Sequence, residues 1–276
     1  MNHLVSALPL VSKRLLPYLE SLMHQPRKRF GQNFLQDESI IRQIIGALHL
    51  QPTDHCLEIG PGLGALTRPL LANLNQLHAV EIDRDLQHYL IHELPNAKKL
   101  TLIAADALTI DYTALGPALR IIGNLPYNIS TPLLIRLLEH IVAIKDIHVM
   151  LQKEVAERLA AAPGSKTYGR LSVMMQYYCH VDYLFTVPGT AFHPIPKVES
   201  AVVRMTPHQQ NRPDIPFHHF ETIVAEAFAM RRKTLHNNLK HRFTPADFTA
   251  LDIDPRQRAE QLPVSAYVTM AAYSKK

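Results

Sequence analysis

Cysteine is scarce in this 276-residue chain: Cys56 and Cys179 are the only two, and they stand far apart. Neither a disulfide framework nor a cysteine-based zinc site is suggested. Long apolar runs are missing as well. No stretch approaches the roughly 20 residues that a membrane-spanning helix needs, and the N-terminal "LVSALPLV" carries neither a basic leader nor a clear cleavage site. Secretion is not expected, and a cytoplasmic location is. There is no internal repeat and no metal-ligand pattern. The first 25 or so residues precede any motif and receive no role, and Met23 is an alternative start.

Charge of either sign is modest in total, with 29 Lys and Arg against 24 Asp and Glu for a formal net of +5. Its distribution says more. Residues 51–130 hold five basic and eight acidic side chains, whereas "FAMRRKTLHNNLKHR" (228–242) holds five basic residues and no acid. Such a split points to a small-molecule site beside a separate polyanion surface.

What is present is ample apolar material, 47% of the residues, enough for a main domain with or without a smaller companion. "DESIIRQIIGALHL" repeats apolar residues at three and four and opens on acids, which predicts a helix. "HCLEIG", "LHAVEID", "LTLIAAD", "LRIIGN" and "DIHVMLQ" are short runs ending in glycine or a polar residue and read as buried strands, with one helix-length stretch between successive members. The pattern is βαβ repeated, hence an α/β fold with a mainly parallel sheet. "MMQYYCHVDYLFTV" and "SAVVRM" are further strand candidates with no helix between them, expected as an antiparallel hairpin at the sheet edge. After the proline-containing connector "TPHQQNRPDIP" the remainder reads as helical, which divides the chain into 1–25, a main domain 26–207 and a helical segment 208–276.

"LEIGPGLGALT" places Gly60, Gly62 and Gly64 between a strand and a helix, in GxGxG spacing and not the GxGxxG of pyrophosphate binders. Glu81 ends the next strand about twenty residues on, where a carboxylate can accept from two ribose hydroxyls. Asp106 ends the third and can accept from an adenine amino group. Together these three strand ends describe a nucleoside ligand that makes no demand for phosphate contacts, and S-adenosyl-L-methionine fits. The fourth strand runs into "GNLPYNISTPLL". Asn124, with the carbonyl of Pro126, is placed to accept hydrogen bonds from an exocyclic amino group and so localise its lone pair. Tyr127 is placed to stack on the base.

Taken with "FGQNFL" (30–35), "VEID", "FHPIPKVESAVVRM" (192–205) and "AFAMRRKTLHNNLK", these motifs resemble the small-subunit ribosomal RNA adenine N6-dimethyltransferase family from about Arg27 to Leu262. The resemblance implies a class I S-adenosylmethionine-dependent, Rossmann-like methyltransferase fold with a small helical C-terminal domain. It also implies dimethylation of two adjacent adenines in the 3'-terminal hairpin of small-subunit rRNA, within an assembling ribosomal particle and with no obligate protein partner. It adds Asn33 and Leu35 as cofactor contacts and Phe192 as the second aromatic face of the target base. Related antibiotic-resistance methylases act on large-subunit rRNA, but Pro132 after Thr131 departs from the acidic residue common there. A decayed RNA-binding assembly factor is opposed by intact Gly60, Glu81, Asp106 and Asn124. DNA and protein amino methyltransferases are opposed by Leu125 between Asn124 and Pro126. The basic residues Arg231, Arg232, Lys233 and Lys240 are expected on one helical segment, with Ile223, Val224, Ala227, Phe228, Leu235 and Leu239 packed inward and the charge facing RNA phosphates.

Overall fold

A computed structural model of the chain describes residues 33–208 and 215–274. The N-terminal extension and most of the connector before the last helices lie outside these residues. Strand β1 (Phe34–Leu35) leads into α1 (Glu38–Leu48), whose N-cap Asp37 accepts from the backbone N–H groups of Ser39 and Ile40 at 2.8 and 3.2 Å. Its apolar face, Ile40, Ile41, Ile44 and Leu48, is buried as the spacing predicts.

The alternating region follows: β2 (Cys56–Ile59), α2 (Thr67–Asn73), β3 (Leu77–Glu81), α3 (Arg84–His92), β4 (Leu100–Ala104), β5 (Leu119–Asn124), α4 (Ser130–Glu139) and β6 (Ile144–Gln152). The five strands from β2 to β6 pair in parallel. Helices α5 (Lys153–Leu159) and α6 (Arg170–Tyr178) precede β7 (Cys179–Val187), the short β8 (Phe192–His193) and β9 (Ser200–Pro207). The seven-stranded sheet has the order β4-β3-β2-β5-β6-β9-β7, while β1 and β8 form a separate antiparallel pair. Strand β9 runs antiparallel to both β6 and β7, so the expected edge hairpin is present. All four residues of β2 are buried, because helices cover both faces of the sheet. The strand order reverses between β2 and β5, which opens a crevice at their carboxyl ends.

The chain closes with α7 (Phe217–Ala227), α8 (Leu235–Leu239), α9 (Pro245–Ala250) and α10 (Val264–Tyr273). Their apolar faces continue the core of the sheet layer through α6: Tyr177 lies 4.2 Å from Phe220 between ring centroids, and Tyr178 lies 5.7 Å from Phe217. Among the described residues no helix is long and apolar enough to cross a membrane.

Two sequence expectations need correction. "MMQYY" is helical, forming the end of α6 rather than the start of a strand. Helix α6 lies between the sheet and the C-terminal helices and is buried nearly all round, so its sequence shows no polar face from which a 3.6-residue period can be read. The basic run is likewise no single helix. Thr234 caps a new helix, its hydroxyl accepting from the Asn237 N–H at 3.4 Å, and the Asn238 amide reaches back to the Ala227 carbonyl at the end of α7, at 2.7 Å. Arg231, Arg232 and Lys233 therefore sit on the turn between α7 and α8, with Lys240 just past α8.

Candidate active site

A cavity of about 330 Å³ occupies the crevice, walled by the carboxyl ends of β2, β3 and β5, the segment after β4, and residues 33–35. That size suits a nucleoside-sized ligand. Asn33, Leu35, Gly60, Gly62, Glu81, Asp106, Asn124, Pro126 and Tyr127 all line it, so one cleft gathers the residues expected to hold cofactor and base, Phe192 excepted.

The glycine turn is shaped by close approach. Gly62 has φ +57°, and a Cβ there would lie 3.3 Å from the Phe34 ring, so a side chain would be both strained and crowded. Arg68 on α2 braces the turn from below, donating to the Leu63 carbonyl at 2.8 Å. At Gly123 the constraint is harder: a Cβ would stand 2.5 Å from the Ile59 carbonyl oxygen, so β2 and β5 hold this register only with glycine at that point.

Glu81 accepts from three backbone N–H groups, Ile82 and Asp83 at 2.9 Å on one oxygen and Gly62 at 3.3 Å on the other. A carboxylate offers about four lone-pair sites, so capacity remains on the second oxygen for a sugar hydroxyl. Burial pushes its pKa up, against those donors. Asp106 caps the turn after β4 through Oδ1, which accepts from the Leu108 N–H at 2.9 Å. With an acidic acceptor at the end of β3, another after β4, and a glycine turn that admits a ligand against bare backbone, the residues present fit S-adenosylmethionine. Among the described residues no group of His, Cys, Asp and Glu is arranged to hold a metal ion.

Glu58 is a lining residue that the motif reading passed over. It is 1% exposed, and its Oε2 has no hydrogen-bond partner in the structure. Burial pushes its carboxyl up to about 8, opposed by Thr67 and reinforced by the charge of Glu81. Because the folded state then holds a proton that the unfolded chain releases near 4.5, stability falls as pH rises from about 4.5 to about 8. Glu58→Gln should abolish that decline. In urea melts the variant is expected to gain on the parent steadily across this window, and a constant difference would refute the assignment.

On the wall formed by β5, the strand ends at Asn124, whose Nδ2 donates to the Asn33 carbonyl at 3.1 Å. A carbonyl oxygen can only accept, so this bond fixes the orientation of the amide and leaves Oδ1 as its acceptor. The Pro126 carbonyl accepts from the Ile129 N–H at 3.2 Å, which closes the turn into α4 and uses one of its two lone pairs. Tyr127 is pinned through its hydroxyl, 2.8 Å from the Ser200 Oγ of β9. Phe192 does not join them. It is 3% exposed, pairs from β8 with Leu35 of β1, and belongs to the apolar cluster under the crevice, so in this structure it is a core residue and not a wall of the cavity.

A family profile described as ribosomal RNA adenine dimethylase matches residues 23–276. The chain belongs to that family. It is 58% identical over 253 residues to the ribosomal RNA small subunit methyltransferase A of Legionella pneumophila (strain Lens), covering 91% of this chain and 99% of that one. It is 55% identical to the protein of the same name from Thiobacillus denitrificans, covering 91% and 98%. Among solved structures, a dimethyladenosine transferase from Plasmodium falciparum matches with a TM-score of 0.72 at 25% identity, covering 87% of this chain and 96% of that one. The 23S rRNA methyltransferase ErmE shares the fold, with a TM-score of 0.67 at 23% identity over 88% and 100% of the two chains. The family's fold and cofactor are thus those expected from the motifs: a class I, Rossmann-like methyltransferase that uses S-adenosylmethionine.

Beside the loop after β5 lies a second, more open groove of about 1090 Å³, between α4, the segment joining α5 to α6, and the turn after α7. Arg136, Arg158, Lys166, Arg170 and Arg231 line it. Arg231 is committed there, bonded to Glu260 at 3.2 Å and to the Lys166 carbonyl at 3.1 Å. Arg232, Lys233 and Lys240 are exposed and make no ion pair among the described residues. The basic segment thus splits into two bracing arginines, Arg231 and Arg242, the latter paired with Glu226 at 2.8 Å, and three available cations.

Proposed function

We propose that the chain dimethylates N6 of two adjacent adenines in the 3'-terminal hairpin of small-subunit (16S) rRNA, presented in the cytoplasm by an assembling ribosomal particle and without an obligate protein partner. Residues 26–207 carry the chemistry, and residues 208–276 contact RNA. The observation that carries the chemistry is the Asn33–Asn124 bond, which presents Asn124 Oδ1 as an acceptor at the end of β5, three residues from the Tyr127 ring.

When bound, S-adenosylmethionine supplies an electrophilic methyl group on its sulfonium. Glu81 and Asp106 hold the nucleoside end. Asn124 Oδ1 and the remaining lone pair of the Pro126 carbonyl accept from the adenine amino group, which localises its lone pair and aims it in line. Tyr127 supports the base. No strong general base is invoked, and the proton of the product amine leaves to solvent. Supplying labelled methyl groups to unmethylated small-subunit particles and large-subunit RNA side by side tests the substrate. Label is expected on the small-subunit hairpin, and label confined to the large-subunit RNA would reverse the assignment.

The free cations at the turn after α7 are assigned to phosphate contacts. Neutralising Arg232 and Lys233 to alanine, with Arg231 kept because it braces the fold, should weaken particle binding and flatten its salt dependence by about 0.7–0.9 in log–log slope per lost contact. Cofactor affinity should not move. An unchanged slope would make the turn a solubilising surface only.

A further inference from the structure

The segment joining β8 to β9, residues 194–199, is tied at both ends to walls of the cavity. At one end β8 pairs with Phe34–Leu35, both of which line it. At the other, Ser200 holds the Tyr127 hydroxyl at 2.8 Å. Within this short rim, Ile195 is 66% exposed and Val198 is 46% exposed. Pro194 and Pro196 restrict the backbone on either side of Ile195. The rim also packs closely on Gly189, where a Cβ would come 3.3 Å from the Pro196 carbonyl oxygen and 3.5 Å from Ile195 Cγ2. The charges along it are Lys197, exposed and without an ion pair among the described residues, and Glu199, already paired with Lys153 at 2.8 Å.

A single exposed apolar side chain needs no explanation. Two of them, three residues apart on a stiff rim anchored to the reacting site, call for a ligand with an apolar face. The substrate has one. A target adenine must leave its stack to reach Tyr127, and the neighbouring base is then left with an uncovered face. Apolar side chains placed between bases are a general way to stabilise such an unstacked step.

We propose that Ile195 and Val198 form an apolar shelf for the nucleotide next to the target adenine, with Lys197 supplying charge for the phosphate that joins the two. The shelf rests on the reading of Tyr127 as the platform for the target base. Its role is positioning: it holds the RNA strand open and touches no reacting atom.

The test is the double variant Ile195→Thr, Val198→Thr, assayed on unmethylated small-subunit particles at saturating concentration under single-turnover conditions. Both positions are solvent-exposed, so the melting temperature should be unchanged and S-adenosylmethionine affinity should equal the parent's. The methyl-transfer rate is expected to fall by about tenfold or more, on the scale of one lost base contact, while particle affinity stays within about threefold. The variant Ile195→Leu, Val198→Leu should restore the rate, because it restores the apolar surface. Tyr127→Ala is run in parallel. If Tyr127→Ala is slow and the threonine pair stays within about twofold of the parent, or if the leucine pair stays as slow as the threonine pair, the shelf is wrong and the platform stands. If Tyr127→Ala keeps the parent rate, the platform reading fails and the shelf falls with it.

Discussion

Asn124→Ala is expected to slow methyl transfer by about 100-fold or more under single-turnover conditions, the scale seen when one preorganised partner of the reacting group is removed. Affinity for the particle and for S-adenosylmethionine should change by less than about threefold, because the acceptor acts mainly in the transition state. Asn124→Asp sharpens the test. It keeps an acceptor at the position but removes the Nδ2 donor and sets a carboxylate against the Asn33 carbonyl, which lies 3.1 Å from Nδ2 in the parent. The aspartate variant should therefore be slow as well, despite its greater charge. If acceptor strength alone mattered, aspartate would match or exceed the parent. A near-parental rate in the alanine variant would remove nitrogen activation from the mechanism altogether.

That the Asn124 amide is oriented by the carbonyl of residue 33 explains why some of the candidate site was legible in the sequence and some was not. Gly60, Glu81, Asp106 and Asn124 were legible because each sits at or just beyond the end of a strand buried within an alternating βα pattern, and the carboxyl ends of parallel strands converge on one edge. Periodicity and position were enough. The contribution of Asn33 depends on its backbone carbonyl, which no residue pattern encodes, and only the resemblance of "QNFL" to a family drew notice to it. Glu58 looked like one more strand position, since nothing in "LEIG" says that its carboxyl is buried with an unpartnered oxygen. Phe192 is the opposite case. A short strand beside β1 buries it in the apolar cluster, and a family motif alone could not place it inside or outside the cavity.

The C-terminal helices were legible as helices but not in their breaks. Apolar residues from Ile223 to Leu239 keep a helical rhythm across a turn, because α7 and α8 both present that face to the same core. The break is set by Thr234 and Asn238, polar residues whose capping bonds compete with helix continuation. Charge counting similarly treated Arg231 as one of four equivalent cations, although its bonds to Glu260 and the Lys166 carbonyl tie the helical segment to the loop before α6. The groove cations Arg136, Arg158, Lys166 and Arg170 come from four separate places in the chain, so no single run announced them.

The other large effect is expected at the opposite end of β5. Arg120 is 5% exposed and donates to Asp146 on β6 at 2.9–3.1 Å, to Asp54 at 2.7 Å and to the Leu48 carbonyl at the end of α1, also at 2.7 Å. One guanidinium thus joins β5, β6, the segment before β2 and α1. Burial alone would push both carboxyls up. Instead Asp146 is held below its usual value by His148 and Arg120, and Asp54 by the Gln51 N–H, Lys145 and Arg120. Arg120→Met removes the guanidinium shared by the buried Asp146 and the half-buried Asp54, leaving His148 beside the one and Lys145 on the other, and breaking a buried pair costs about 3–5 kcal/mol in comparable sites. For a chain of this size the melting temperature should drop by roughly 10 °C or more. The sign of the pH dependence separates lost charge pairing from lost packing. Carboxyls with depressed folded-state pKa values contribute stability that is present above their unfolded value near 3.8 and is lost as pH falls through the folded value. Without Arg120 its share of that contribution is lost, so the gap between parent and variant should be widest near pH 7 and narrow below about pH 4, as the carboxyls take up protons. Adding Asp146→Asn should recover part of the loss at neutral pH, since a buried carboxylate that has lost its guanidinium costs more than a neutral amide. Methyl transfer at 25 °C should stay near the parent rate, because Arg120 lies about 13 Å along the strand from Asn124 at the usual rise per residue. A gap that is the same at pH 7 and pH 4 would identify Arg120 as a packing residue only, and β5 would then owe its place in the sheet to its apolar neighbours Ile121 and Ile122.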